Sequence, residues 1–245
     1  MTKSAKQNFL PRERSMKLEL DVTATIFRSD LLNNWNDFRR FFAWRETENP
    51  FHILISEILL QKTNARTVES VYNMVVEKYP TPHMLSLANP DELILILKPL
   101  GLAYRAERLI AISNTIVNKY EGSVPDSLNE LLSLPGVGNY VARAVACFAF
   151  NQAYLPWDTN MVRISERVFN LYSSMSRPRT DIKLADYLGS FLLTNNHIKE
   201  IVWAMLDFAS NICTSRNPRC KDCFAFEYCS YGDKCNALQG ECNGL

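Results

Sequence analysis

The sequence predicts an all-α protein, and three observations carry that prediction. A capping residue followed by proline recurs at Asn49-Pro50, Thr81-Pro82 and Asn89-Pro90. An Asn or Thr side chain accepts from the unpaired N–H groups of a helix start, and proline at the first helical position has no N–H to leave unpaired. Each pair opens a segment with apolar residues three and four apart, as on one helix face, and no stretch alternates with the period of two that a half-buried strand needs.

In chain order, residues 1–15 carry Lys3, Lys6, Arg12 and Arg14 among few apolar residues, and are expected to form a disordered basic tail. A helix is expected near residues 20–41. Those opened by the three proline caps follow, then helices over 103–120, 141–150, 161–170, 182–194 and 200–213. Two domains are expected: a compact helical one over 43–152, and a second joining 16–42 to 153–245.

The chain has 245 residues, 47% hydrophobic and 22% charged, ordinary values for a globular protein with one or two cores. No apolar run approaches the roughly 20 residues that span a bilayer, so no membrane association is expected. The N-terminus lacks the apolar stretch of a secretory signal, which places the chain in a reducing cytoplasm. Thiols there are metal ligands or unpaired rather than disulfides. The net charge of +1 provides no global basic field, so any polyanion must be held by local cations and oriented backbone amides.

Six of the seven cysteines fall in the last 33 residues, and four read Cys213-x6-Cys220-x2-Cys223-x5-Cys229. A Cys-x2-Cys pair in a tight turn brings two sulfurs to one metal, and the flanking cysteines can close a four-thiolate cage. Chemistry alone does not separate zinc from an iron–sulfur centre. Within and just after the first interval stand Arg216, Arg219 and Lys221, three cations in six residues. Cys147, Cys235 and Cys242 lie outside the spacing.

Residues 134–140 read Leu134-Pro135-Gly136-Val137-Gly138-Asn139-Tyr140. Two glycines around one apolar residue permit a tight turn between helices, and the new helix start presents unpaired N–H groups that can hold a phosphate. Twenty residues past Gly138 stands Asp158-Thr159-Asn160, with Arg163 three further on. An isolated Asp-Thr-Asn usually caps a helix. Glu57 interrupts the apolar segment from Pro50, and Gln61 and Lys62 follow it.

The cysteine spacing, the Leu-Pro-Gly-Val-Gly hairpin and the following Asp-Thr-Asn-x-x-Arg resemble the helix-hairpin-helix DNA glycosylase superfamily, in its endonuclease III branch. The resemblance covers roughly residues 36–235. It implies a six-helix barrel domain and a domain carrying a 4Fe-4S cluster, flanking a cleft for double-stranded DNA. Cys213, Cys220, Cys223 and Cys229 would hold the cluster. Arg216, Arg219 and Lys221 would meet phosphates, as would Gly136, Val137, Gly138 and Asn139 of the hairpin. A monovalent cation at the hairpin is a further expected cofactor. Asp158 is the implied catalytic carboxylate, since breaking an N-glycosidic bond builds positive charge on the sugar. The base must first leave the stack, and Gln61 matches the position that fills the gap it leaves.

Bifunctional members of the superfamily carry a lysine where this chain has Tyr140. A tyrosine cannot form their Schiff base, so hydrolysis alone is expected. Glu57 and Tyr140 would line the base pocket. Tyr140, the segment Pro99 to Arg108 and the end of the chain are similar to the thymine–guanine mismatch branch. The expected reaction is therefore removal of thymine or uracil opposite guanine by a monomer. Three other readings remain: adenine removal opposite guanine or 8-oxoguanine, removal of another modified base, and a cluster-stabilised DNA-binding module without activity.

Overall fold

The computed structural model describes residues 11–101, 104–194 and 196–232, and of residues 11–14 the backbone only. Regular structure among them is helical throughout. The chain forms two compact units, one from Arg40 to Asp158, the other joining the chain up to Arg39 with the chain from Thr159 onward. These boundaries lie close to, but not at, the expected 42/43 and 152/153. In consequence Asp158 is grouped with the hairpin.

The first helix, α1 (Pro11–Asn34), corrects two expectations. Residues 11–15 belong to it and not to a tail, while residues 1–10 lie outside the described part. Pro11 fits the first helical position, and Arg12, Glu13 and Arg14 are straight-chain helix formers. The helix stops at Asn34 and does not run to 41. A single 3-10 turn, Trp35–Asp37, follows it, held by the Trp35 indole N–H donating to Asp207 Oδ2 at 2.9 Å. Leu20, Ala24, Phe27 and Leu31 form the buried stripe of α1.

The unit from Arg40 contains α2 (Pro50–Leu60), α3 (Ala65–Lys78), α4 (Pro82–Ser86), α5 (Pro90–Leu97), α6 (Tyr104–Tyr120), α7 (Leu128–Ser133) and α8 (Asn139–Phe150). The three proline-bearing starts are capped as expected. Asn49 accepts from the amides of Phe51 and His52, Thr81 from Met84, and Asn89 from Asp91 and Glu92. Helix α2 buries Phe51 and then every residue from Ile53 to Leu59. A helix apolar on all sides belongs at the centre of its domain, and α2 packs against α3, α6 and α8. One core runs from Phe42 and Trp44 through α2 and α3 to Ala146 of α8.

In the other unit α1 packs on α9 (Thr159–Phe169), α10 (Ile182–Leu192) and α11 (Ile198–Asn211). Its core is aromatic. Phe27 meets Phe169 and Phe208 edge-on at 5.3 and 5.7 Å, and Phe224 of the cysteine-bearing segment stacks on Phe38 at 6.1 Å. Among the described residues no helix is long and apolar enough to cross a membrane.

Candidate active site

Helix α2 is apolar enough to be buried whatever Glu57 does, so it carries that carboxyl inside with it. Glu57 is 4% exposed, and its Oε2 has no hydrogen-bond partner. Ser56 beside it satisfies itself by donating to the Ile53 carbonyl at 2.8 Å. Burial pushes the Glu57 carboxyl from 4.5 up to about 8; the positive Arg45 opposes this and the negative Asp158 adds to it. At neutral pH Glu57 is therefore a neutral acid, able to donate one hydrogen bond and accept others.

The hairpin joins α7 to α8. Gly136 adopts φ +71, in the left-handed region that favours glycine. The Val137 amide closes the turn onto Leu134 O at 3.1 Å and its side chain is buried in the core, so Val137 has no N–H left to donate to a phosphate, contrary to expectation. Gly138 caps α8 with no side-chain bond to the helix amides. Gly136, Gly138 and Asn139 are exposed. The start of α8 thus presents backbone donors outward, as a phosphate needs.

Tyr140 sits in the first turn of α8, half-buried. Burial raises its hydroxyl well above 10, and the negative charges of Glu57 and Asp158 add to this. Tyr140 is therefore a neutral phenol at any working pH. Glu57, Tyr140, Asp158 and Arg45 influence one another and share one electrostatic neighbourhood. Asp158 is half-buried and closes the segment after α8. Arg143, 1% exposed on α8, holds that segment by donating from Nε to the Leu155 carbonyl at 2.8 Å.

Past α2 the chain turns sharply, and Lys62 adopts φ +58. Arg105 of α6, 1% exposed, makes this turn possible. Its guanidinium donates to Leu59 O at 3.0 Å, to Gln61 O, and to Thr63 Oγ1 at 2.7 Å, satisfying carbonyls that a helix end leaves unpaired. Arg108, one turn further along α6, donates from Nη1 to Gln61 Oε1 at 2.8 Å. Gln61 is half-buried and Lys62 exposed.

In the other unit the cysteine-bearing segment leaves α11 at Cys213. Arg163 of α9 fastens that exit by donating to Cys213 O and Ala209 O, both at 2.8 Å. Arg167 donates to Thr214 O at 2.6 Å and Ser215 O at 2.9 Å, and lies 3.6 Å from Cys213 Sγ. Cys213 is buried, and Cys220, Cys223 and Cys229 are half-buried. Burial, with a lesser contribution from the sulfurs of Cys229, Cys213 and Cys220, pushes the Cys223 thiol up to about 12. All four sulfurs therefore lie in one neighbourhood, and the set fits a thiophilic centre by its chemistry. Among the described residues, no three His, Cys, Asp or Glu side chains stand in a metal-holding group. Arg216, Arg219 and Lys221 are all exposed, with Arg219 3.8 Å from Asp222. Cys235 and Cys242 lie outside the described residues.

Sequence reasoning singled out neither Arg45, Arg105 nor Arg108 as site residues. A buried arginine has no sequence signal of its own; it is found only when the carbonyls and carboxyls it faces are known.

Residues 55–188 match the family described as HhH-GPD superfamily base excision DNA repair protein. The thymine/uracil-DNA glycosylase of Methanothermobacter thermautotrophicus is 34% identical over 212 residues, 86% of this chain and 95% of that one. The thymine-DNA glycosylase of Aeropyrum pernix is 38% identical over 190 residues, 77% of this chain and 85% of that one. Among solved structures, a thermostable thymine-DNA glycosylase superposes with a TM-score of 0.80 at 33% identity, covering 87% of this chain and 98% of its own. The matched segment runs from within α2, past the hairpin and Asp158, into α10. It thus contains Glu57, Gln61, Tyr140 and Asp158, and this chain belongs to the HhH-GPD superfamily of base excision DNA repair proteins.

Proposed function

We propose that this chain is a monofunctional DNA glycosylase, acting as a monomer on double-stranded DNA, that hydrolyses thymine or uracil from opposite guanine. The observation that carries the proposal is the buried Glu57 carboxyl, unpartnered at Oε2 and sharing its neighbourhood with Tyr140 and Asp158. An unsatisfied buried polar atom costs about 1–3 kcal/mol. Such a cost is expected where a ligand supplies the missing partner.

In this reading the flipped pyrimidine meets Glu57 and Tyr140, both neutral donors. As the C1′–N bond breaks, its electron pair moves into the base and negative charge gathers on the base oxygens, where donors held in place stabilise it. Asp158 stabilises the sugar cation and orients the water that adds to C1′. The released proton goes to the departing base, and an abasic site remains. With Tyr140 in place of an amine, no Schiff base forms and the strand stays intact.

Support for thymine or uracil comes from the two relatives and the solved structure above, each named for thymine or for thymine and uracil. The hairpin amides at Gly136, Gly138 and Asn139 would hold one phosphate, the Val137 amide being engaged with Leu134 O, and Arg216, Arg219 and Lys221 would hold others. The endonuclease III-like family commonly carries a 4Fe-4S cluster. In this chain Cys213, Cys220, Cys223 and Cys229 would hold it, and bound there it would fix the shape of the segment bearing those three cations.

The test is single-turnover base release from duplexes holding T:G, U:G, A:G or adenine opposite 8-oxoguanine. The proposal expects release from the first two alone. Release of adenine without thymine or uracil would overturn it in favour of Glu57 acting as the acid at a purine nitrogen.

A further inference from the structure

We propose that Arg108 is a positioning residue that fixes the polarity of the Gln61 amide, so that the enzyme reads an acceptor on the base left behind, the O6 of guanine. The inference rests on the reading of Gln61 as the side chain that fills the gap.

Three contacts hold the Arg108 guanidinium in one place. It donates to Gln61 Oε1 at 2.8 Å, and its Cζ lies 5.1 Å from the centre of the Tyr104 ring. It also lies against the hairpin, where a Cβ added to Gly136 would stand 2.4 Å from Arg108 Nε and 2.7 Å from Cδ. The bare Cα of Gly136 thus leaves the space that Arg108 occupies.

The polarity follows from hydrogen-bond chemistry. A guanidinium has five N–H donors and no acceptor, so only the carbonyl end of an amide can face it. With Oε1 held by Arg108, the NH2 end of Gln61 is the end left to present, and among the described residues Nε2 donates to no group. An amide without Arg108 can turn over and offer either end. The pairing edge of guanine offers one acceptor, O6, where adenine offers an amino group. Holding the amide also removes rotamer freedom that a glutamine would otherwise lose on entering the duplex.

The test uses the full chain and avoids both base release and base-pair strength. Duplexes carry a tetrahydrofuran abasic analogue opposite guanine, hypoxanthine or 2-aminopurine; hypoxanthine keeps O6 and 2-aminopurine lacks it. The parent should bind the guanine and hypoxanthine duplexes about tenfold more tightly than the 2-aminopurine duplex, as one specific base contact gives. Arg108→Ala should lose that preference, and Arg108→Lys, which also can only donate, should keep part of it. Combining Arg108→Ala with Gln61→Ala should remove no more than either alone. A ratio of affinities does not depend on how much of a variant is folded. Equal affinities in the parent, a preference that persists in Arg108→Ala, or effects that add would each overturn the proposal. If the preference behaves as expected while the mispair panel shows no thymine or uracil release, the functional reading fails and this one stands.

Discussion

Replacing Glu57 by glutamine fixes that position in the neutral, near-isosteric form, and its effect should depend on pH. The folded chain holds this carboxyl at about 8 against an ordinary 4.5, so between those values the native state binds more protons than the unfolded state. The contribution of Glu57 to the stability of the parent must then fall as pH rises through that window and level off above it. The gap, at 1.36 kcal/mol per pH unit, amounts to about 5 kcal/mol above pH 8 and about 3 kcal/mol at pH 7. Glu57→Gln escapes this loss. Urea denaturation of parent and variant at pH 5, 7 and 9 isolates it, because the groups they share cancel in the difference. The variant should be within about 1 kcal/mol of the parent at pH 5 and more stable by several kcal/mol at pH 9. A difference that stays flat, or shrinks as pH rises, would refute the claim that Glu57 is buried as a neutral acid.

The same protonation state sets activity. Base release by the parent should fall as pH rises through about 8, since Glu57 then ionises beside Asp158, and a rate unchanged to pH 9.5 would rule out a working role for its proton. Tyr140→Lys should gain a borohydride-trapped adduct with abasic DNA that the parent lacks, because position governs attack at C1′. Lys62 is exposed on the neighbouring turn, so Lys62→Ala is run beside it; strong trapping by the parent that survives Lys62→Ala would contradict the pocket assignment. Anaerobically purified protein should contain iron, and Cys220→Ser should lose both iron and DNA affinity. Stoichiometric zinc without iron in the parent would refute the cluster assignment.

The helical class was legible because proline and its capping partner act locally. Asn49, Thr81 and Asn89 bond amides two or three residues away, and no tertiary contact is needed to place them. The hairpin was legible for the same reason, since Gly136 at φ +71 reports its own backbone. Helix α1 was misread at both ends. Its first turns carry little apolar signal, and just past its end Trp35 bonds Asp207, far away in the chain. Glu57 could be singled out as a charge in an apolar helix, yet its burial depends on α2 being enclosed by its neighbours. Arg105 and Arg108 were not found, because their partners on the Gln61 turn lie more than forty residues away in sequence. Non-local hydrogen bonds are what this sequence does not announce.

The central claim is that Asp158 supplies the sugar-side carboxylate of a hydrolytic base release. It is tested most directly by Asp158→Asn under single-turnover conditions on a T:G duplex, with binding to the same duplex measured in parallel. The account predicts that the variant binds the duplex as the parent does while base release falls by at least about a thousandfold, as for loss of an electrostatic stabiliser of the transition state. Base release at the parental rate by a variant that binds normally would contradict it.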